Sequence, residues 1–155
     1  MRILVLSDSH GAVENMVRCV DLAEPDHILH LGDCLRDAEA LHRLYPNIPL
    51  DAVAGNCDWA LDAPTERLLE FAGHRILMMH GHTHGDVKHS DMASRYAAAE
   101  AGAEVLLYGH THSPLVDKAR ELWVMNPGTC EYGAKLTYGV ITATRDKLEC
   151  ATYRL

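Results

Sequence analysis

Five short polar clusters carry the side chains with chemical potential: Asp8-Ser9-His10, Gly32-Asp33, Gly55-Asn56-Cys57-Asp58, His80-Gly81-His82 and Gly109-His110-Thr111-His112. Together they offer carboxylate oxygen, amide oxygen and imidazole nitrogen. That donor set suits borderline divalent cations such as Mn²⁺, Fe²⁺, Ni²⁺ or Zn²⁺, and it needs no thiolate. Asp8, His10, Asp33, Asn56, His80, His110 and His112 are too many ligands for one ion and suit two. Paired ions of this kind sit roughly 3.5–4 Å apart. The chain holds eleven histidines and a single phenylalanine in 155 residues. Histidine is the commonest metal ligand, so this surplus asks for an account.

Each cluster taken alone has a plainer explanation. Asp8 suits the cap of a helix beginning near Val13. Gly32-Asp33 and Gly55-Asn56 are ordinary turn pairs. A lone histidine such as His80, after an apolar run, is commonly a hydrogen-bonded core residue. Gly109-His110-Thr111-His112 is harder to dismiss, because two histidines flank one residue in a glycine-led loop. His84 reads as a surface residue, and His27, His30, His42, His74 and His89 as structural or solvated. Asp58 reads either as a turn residue or as a partner orienting a ligand histidine.

The elements that must position these residues decide between the readings. Ile3 to Leu6 is a continuous apolar run, as expected of a strand buried on both faces. Val13, Met16, Val17 and Val20 follow at helical spacing, and Pro25 stops that helix near Glu24. His27 to Leu31 is a second strand. Leu35, Ala38, Leu41 and Tyr45 mark a second helix, and Leu50 to Ala54 a third strand. This order implies a parallel sheet with right-handed crossovers. Glu66 to Phe71 and Arg75 to Met79 form an antiparallel pair. Asp91 to Ala101 is helical, with Gly102 as its stop. Glu104 to Tyr108 is a strand, and Trp123 to Met125, Tyr138 to Thr144 and Lys147 to Tyr153 are short strands joined by turns. Every polar cluster therefore follows a predicted buried strand. Sites in α/β sheets form outside the carboxyl ends of the strands, so five loops should meet at one rim.

The bulk composition narrows the setting. The length fits one domain over residues 1–155. A composition 48% hydrophobic and 23% charged is that of a globular chain. The net charge of −8 argues against stable nucleic-acid binding, which needs Lys and Arg to neutralise phosphates. Five cysteines with no CxxC pair argue against a disulfide framework. No apolar run approaches the ~20 residues that span a bilayer. A cytoplasmic location without membrane association is expected, and homo-oligomerisation is left open.

In order and spacing, the five clusters resemble the calcineurin-like metallophosphoesterase superfamily, and within it the short YfcE-type phosphodiesterases. The resemblance spans residues 1 to about 133. Asn126-Pro127-Gly128-Thr129 is similar to the Asn-Pro-Gly-Ser turn that these proteins carry after the last histidines. The resemblance implies an α/β fold: a four-layer α/β/β/α sandwich of two mixed sheets flanked by helices. It implies two divalent metal ions, Mn²⁺ foremost and Ni²⁺, Fe²⁺ or Zn²⁺ as alternatives. Asp8, His10, Asp33 and His112 would hold the first ion. Asn56, His80, His110 and a bridging Asp33 would hold the second.

The implied reaction is hydrolysis of a small phosphodiester, with cyclic nucleotides as one candidate class. A metal-bridging hydroxide would attack phosphorus in line with the leaving alkoxide, with Asp33 and Asn56 among the catalytic residues. Many relatives carry histidine where this chain has Cys57, and that histidine is thought to protonate the leaving group. A thiol is a poor substitute, with an unperturbed pKa of ~8.5. His82 is the expected replacement; otherwise no protein acid acts. The specificity loops are expected at 59–65, 85–92 and 130–136. The alternatives are a phosphomonoesterase at the same site, a metal-storing or metal-sensing domain, and a non-catalytic protein-interaction scaffold of the same fold. Arg36 is the only basic residue in the first three cluster loops, which favours a diester over a more highly charged monoester.

Overall fold

The computed structural model describes residues 1–58 and 62–155. Residues 59–61, part of one expected specificity loop, lie outside the described residues. The first sheet is built from β1 (Arg2–Leu6), β2 (His27–His30), β3 (Leu50–Ala52), β9 (Thr137–Thr144) and β10 (Lys147–Arg154), in the order β10-β9-β1-β2-β3. The second contains β4 (Glu66–Phe71), β5 (His74–Met79), β6 (Val105–Leu107), β7 (Leu115–Ala119) and β8 (Leu122–Asn126), in the order β4-β5-β6-β8-β7. β1, β2 and β3 run parallel, and β9 lies antiparallel to β1. β5, β6 and β8 are parallel, with β4 and β7 antiparallel at the edges. Both sheets are therefore mixed, as expected.

Three apolar layers explain the stacking. Ile3 and Val5 of β1 join Leu29, Ile76, Met78, Leu107 and Met125 between the sheets. Leu4 and Leu6, on the opposite face of β1, pack on Met16, Cys19 and Val20 of α1 (Val13–Ala23) and Leu41 of α2 (Leu35–Leu44). Leu77, Met79 and Leu106 cover Ala98 of α3 (Met92–Glu100) on the far side of the second sheet. Successive side chains of a strand point to opposite faces, so an unbroken apolar run such as Ile3-Leu4-Val5-Leu6 serves two layers at once. Each such buried side chain contributes about 1.5–3 kcal/mol of transfer free energy. The outcome is the four-layer α/β/β/α sandwich.

Three local differences from expectation have physical causes. β7 carries no periodic apolar signal, because this edge strand pairs only with β8 and stays mostly exposed. β3 ends at Ala52 rather than Ala54, although Val53 still donates to the His30 carbonyl at 3.1 Å. The β4–β5 connection is only Ala72-Gly73, with φ of +52° and +89°. Positive φ at both central residues is the geometry of a type I′ hairpin, so His74 belongs to β5. His74 then links the two sheets: its Nδ1 lies 3.0 Å from Glu104 and its Nε2 2.8 Å from the Thr144 carbonyl.

Candidate metal centre

The loops after β1, β2, β3, β5 and β6 meet at one rim, and the seven predicted ligands come together there. Within 4.8 Å of one another lie donor atoms of Asp8, His10 and His112, of Asp8, Asp33 and His80, and of His10, Asp33 and Cys57. Both aspartates sit where these groups overlap. His112 Nε2 is 3.1 Å from Asp8 Oδ1. His10 Nε2 is 3.7 Å from Asp33 Oδ2. On the other side, His80 Nε2 stands 2.9 Å from Asn56 Oδ1, 3.1 Å from His110 Nδ1 and 3.5 Å from Asp33 Oδ1.

The hydrogen bonds around the rim set which atoms face inward. His80 Nδ1 is 2.9 Å from the Leu31 carbonyl, which can only accept. The proton therefore sits on Nδ1 and leaves the Nε2 lone pair turned to Asn56, Asp33 and His110. Burial pushes the His80 imidazole below its ordinary pKa against the pull of Asp8 and Asp33, which keeps the ring neutral. Asp8 Oδ2 accepts from Ser7 Oγ and from the His110 N–H. Asp8 Oδ1 is buried and accepts no hydrogen bond among the described residues; His112 Nε2, 3.1 Å away, lies outside hydrogen-bonding geometry. Asp33 is opposed by burial, yet the Cys57 N–H and nearby His80 hold its carboxyl below the usual range.

The backbone bends sharply to present these groups. Asp8, His10, Asp33, His110 and His112 all have φ between +42° and +65°. Such left-handed conformations are uncommon outside glycine, and they gather where a site dictates geometry. Gly55 and Gly109 are required by close approach. A Cβ on Gly55 would meet the Asp33 carboxylate and backbone, and one on Gly109 would meet Ser7 Oγ and Asp8 Oδ2.

A supporting layer went largely unread in the sequence. Asp8 is not a helix cap: α1 begins after Ala12 without a side-chain cap. Among the described residues Asp58 makes no hydrogen bond to a histidine either. It accepts from the N–H groups of Cys34, Leu35 and Gly55, tying the Asn56 loop to the start of α2. Asp37 accepts from Ser9 Oγ and the Gly11 N–H, both at 2.7 Å. Behind Ser9 lies the fully buried His30, which burial pushes down to about 4 and so keeps neutral. Asn126 donates to the Gly109 carbonyl, and Thr129 donates to the Asp8 carbonyl. The 126–129 turn thereby supports both histidine-bearing and aspartate-bearing loops. A carboxylate among backbone N–H groups leaves no sequence signature beyond its turn-like surroundings.

The remaining candidates divide. His82 stands beside the cluster, its ring centroid 5.4 Å from that of His80, with a buried Nδ1 that has no hydrogen-bond partner among the described residues. Cys57 is largely exposed, with its N–H bound to Asp33; partial desolvation and the Asp33 carboxylate push its thiol up to about 11. His84 pairs with Glu66 at 2.6 Å, away from the ligands. The loops expected to confer specificity supply Asp86, 3.2 Å from His110 Nε2, and Glu131, 3.5 Å from His112 Nδ1.

This donor set fits divalent cations. A buried carboxylate oxygen without a donor, facing inward-turned imidazole lone pairs and an amide oxygen, is electrostatically incomplete without positive charge. Oxygen and nitrogen donors of this mixture suit Mn²⁺-like ions.

Comparison with known proteins agrees with this chemistry. The family model of the calcineurin-like phosphoesterase superfamily domain matches residues 1–146. The probable metallophosphoesterase YsnB of Bacillus subtilis is 36% identical over 132 residues, which are 83% of this chain and 75% of that protein. Phosphodiesterase YfcE of Escherichia coli is 26% identical over 171 residues, covering 91% of this chain and 87% of its own. Vps29 of Chaetomium thermophilum superposes with a TM-score of 0.81 at 17% identity, covering 100% of this chain and 87% of the other, which is a likeness of fold alone.

Proposed function

The chain belongs to the calcineurin-like phosphoesterase superfamily, and on that premise we propose that it is a two-metal phosphodiesterase acting on small phosphodiesters, cyclic nucleotides among the candidates. The observation that carries this reading is the buried Asp8 Oδ1, which accepts no hydrogen bond from the described residues while ligand atoms converge on it. Asp8, His10, Asp33 and His112 hold one cation; Asp33, Asn56, His80 and His110 hold the other. Mn²⁺ is the preferred ion, with Ni²⁺, Fe²⁺ and Zn²⁺ as alternatives. When bound, such ions absorb charge developing on the phosphoryl oxygens and lower the pKa of water toward ~7.

The residues of the chain do the rest. Asp8 and Asp33 supply the negative charge that retains the cations. The Leu31 carbonyl keeps the His80 proton on the outer nitrogen. In this reading His82, beside His80 and His110, would hold the proton for the leaving alkoxide, against burial and the neighbouring His110, which lower its pKa. Asp86 and Glu131 add negative charge near the rim and disfavour the second charge of a monoester, as does the scarcity of basic residues. Five free cysteines fit a reducing cytoplasm.

The test is hydrolysis of bis-p-nitrophenyl phosphate by chelator-stripped protein with and without Mn²⁺, beside Asp33→Ala. Metal-restored turnover that the variant lacks supports the diesterase. Absence of turnover with Mn²⁺, Ni²⁺, Fe²⁺ and Zn²⁺ alike moves the conclusion to the non-catalytic scaffold of the same fold.

A further inference from the structure

His110 can exist as two neutral tautomers, and they have opposite consequences for the rim. Its Nδ1 lies 3.1 Å from His80 Nε2. The Leu31 carbonyl has already committed the proton of neutral His80 to the other nitrogen, so in that form His80 Nε2 can only accept. With its proton on Nδ1, His110 would donate to His80. The two lone pairs needed by a cation would then be spent on each other. With its proton on Nε2, His110 leaves both inner nitrogens free.

Asp86 faces the outer nitrogen. Its two carboxylate oxygens lie 3.2 and 3.3 Å from His110 Nε2. A carboxylate there accepts from an Nε2–H and repels an Nε2 lone pair. The placement of Asp86 is itself built into the loop. Asp86 Oδ1 accepts from the Lys88 N–H at 2.8 Å. The next residue, Val87, donates its N–H to the Gly81 carbonyl at 3.0 Å and buries its side chain in the layer above α3. Gly81 permits this contact, since a Cβ there would strike Val87. The His110 side chain is 8% exposed, so few waters compete with Asp86 for its outer nitrogen.

We infer that Asp86 is a positioning residue that holds His110 in the tautomer with its proton on Nε2, keeping the His80–His110 pair open to a cation. The inference rests on the two-metal reading of the rim, but it concerns the proton on His110 and is read without turnover. It also gives the 85–92 loop a task beside substrate selection: it carries the orienting carboxylate.

Two measurements test it on the full chain. The first is long-range ¹H–¹⁵N correlation of the histidine rings in chelator-stripped protein. The parent should show a protonated Nε2 at His110. Asp86→Ala should shift His110 toward the Nδ1–H form, and Asp86→Glu should restore the parent pattern. The second is Mn²⁺ titration by calorimetry. Orienting partners of ligand histidines are worth about 10–100-fold in affinity. Asp86→Ala should lose that factor at one of two sites and retain the other, with Asp86→Glu between the two. An unchanged His110 tautomer in a folded Asp86→Ala protein overturns the inference, as does unchanged Mn²⁺ affinity at both sites. A parent that binds two Mn²⁺ without hydrolysing any diester would overturn the phosphodiesterase reading and leave this one standing.

Discussion

The backbone N–H of His110 donates to Asp8 Oδ2 at 3.0 Å, joining residues 102 positions apart in sequence. This bond crosses from the loop after β6 in one sheet to the loop after β1 in the other. It occupies Oδ2 and leaves Oδ1 directed at the histidines. The metal-free rim therefore holds a buried carboxylate without full compensation, which costs stability and is relieved by a cation. Asp8→Asn should raise or preserve the melting temperature of the metal-free protein. It should also reduce the rise that Mn²⁺ gives the parent, leaving the part due to the site that lacks Asp8. Differential scanning calorimetry with and without Mn²⁺ checks both; a parent insensitive to Mn²⁺ would refute the account.

Asp33 lies between the two halves of the rim, whereas His112 touches only one. Asp33→Ala should lower the Mn²⁺ bound per chain toward zero, with diesterase activity at background. His112→Ala should first weaken one site and retain the other at micromolar Mn²⁺. Metal content after equilibrium dialysis distinguishes them, and equal loss in both variants would count against a shared Asp33.

Gly109 has no room for a side chain. Gly109→Ala drives a Cβ against Ser7 Oγ and Asp8 Oδ2 and must displace one of them. Overpacking of this kind costs about 1–3 kcal/mol. Chemical denaturation should show that loss, together with weaker Mn²⁺ binding. An Ala variant with parental affinity would mean that the Asp8 carboxylate is free to move.

Asp58 satisfies three backbone N–H groups from two ligand-bearing loops. Asp58→Ala leaves them short of an acceptor in a largely buried place, at a cost of about 2–3 kcal/mol. The melting temperature should fall, and Mn²⁺ affinity should fall with it because the Asn56 and Asp33 loops lose their common tie. Asp58→Asn, which keeps one acceptor oxygen, should recover part of both.

His74 provides a pH dependence apart from the rim. Its hydrogen bond to Glu104 raises its pKa; burial opposes this, and the Thr144 carbonyl adds to the rise. Both ring nitrogens face acceptors, so the folded state favours the doubly protonated ring. A raised folded pKa gives stability that is complete below the ordinary value of 6.5 and lost as pH rises through the folded value. The advantage of the parent over His74→Gln should accordingly be largest near about pH 5 and shrink toward about pH 8. Equal melting differences across that range would remove this role.

The convergence of the ligand side chains on one rim was legible in the sequence because residue type and strand order are visible there. Asp8, Asp33, Asn56, His80 and His110 each follow a strand whose apolar run is visible without coordinates. The covering of the first sheet on both sides was legible for the same reason, since Ile3 to Leu6 has no polar face; the four-layer sandwich itself was implied by the family resemblance. β7 escaped notice because an exposed edge strand needs no apolar alternation.

Local sequence determined which side chains reach the rim and what chemistry they own. Only the tertiary structure decided which atom of each faces inward. His80 and His110 look alike in the chain, yet one turns Nε2 inward and the other Nδ1. The Leu31 carbonyl sets the first and Asp86 the second, across 49 and 24 positions. Asp58 likewise resembles a turn residue until the start of α2 is brought to it. Hydrogen bonds between distant segments depend on how the sheets are stacked, and no local pattern encodes them.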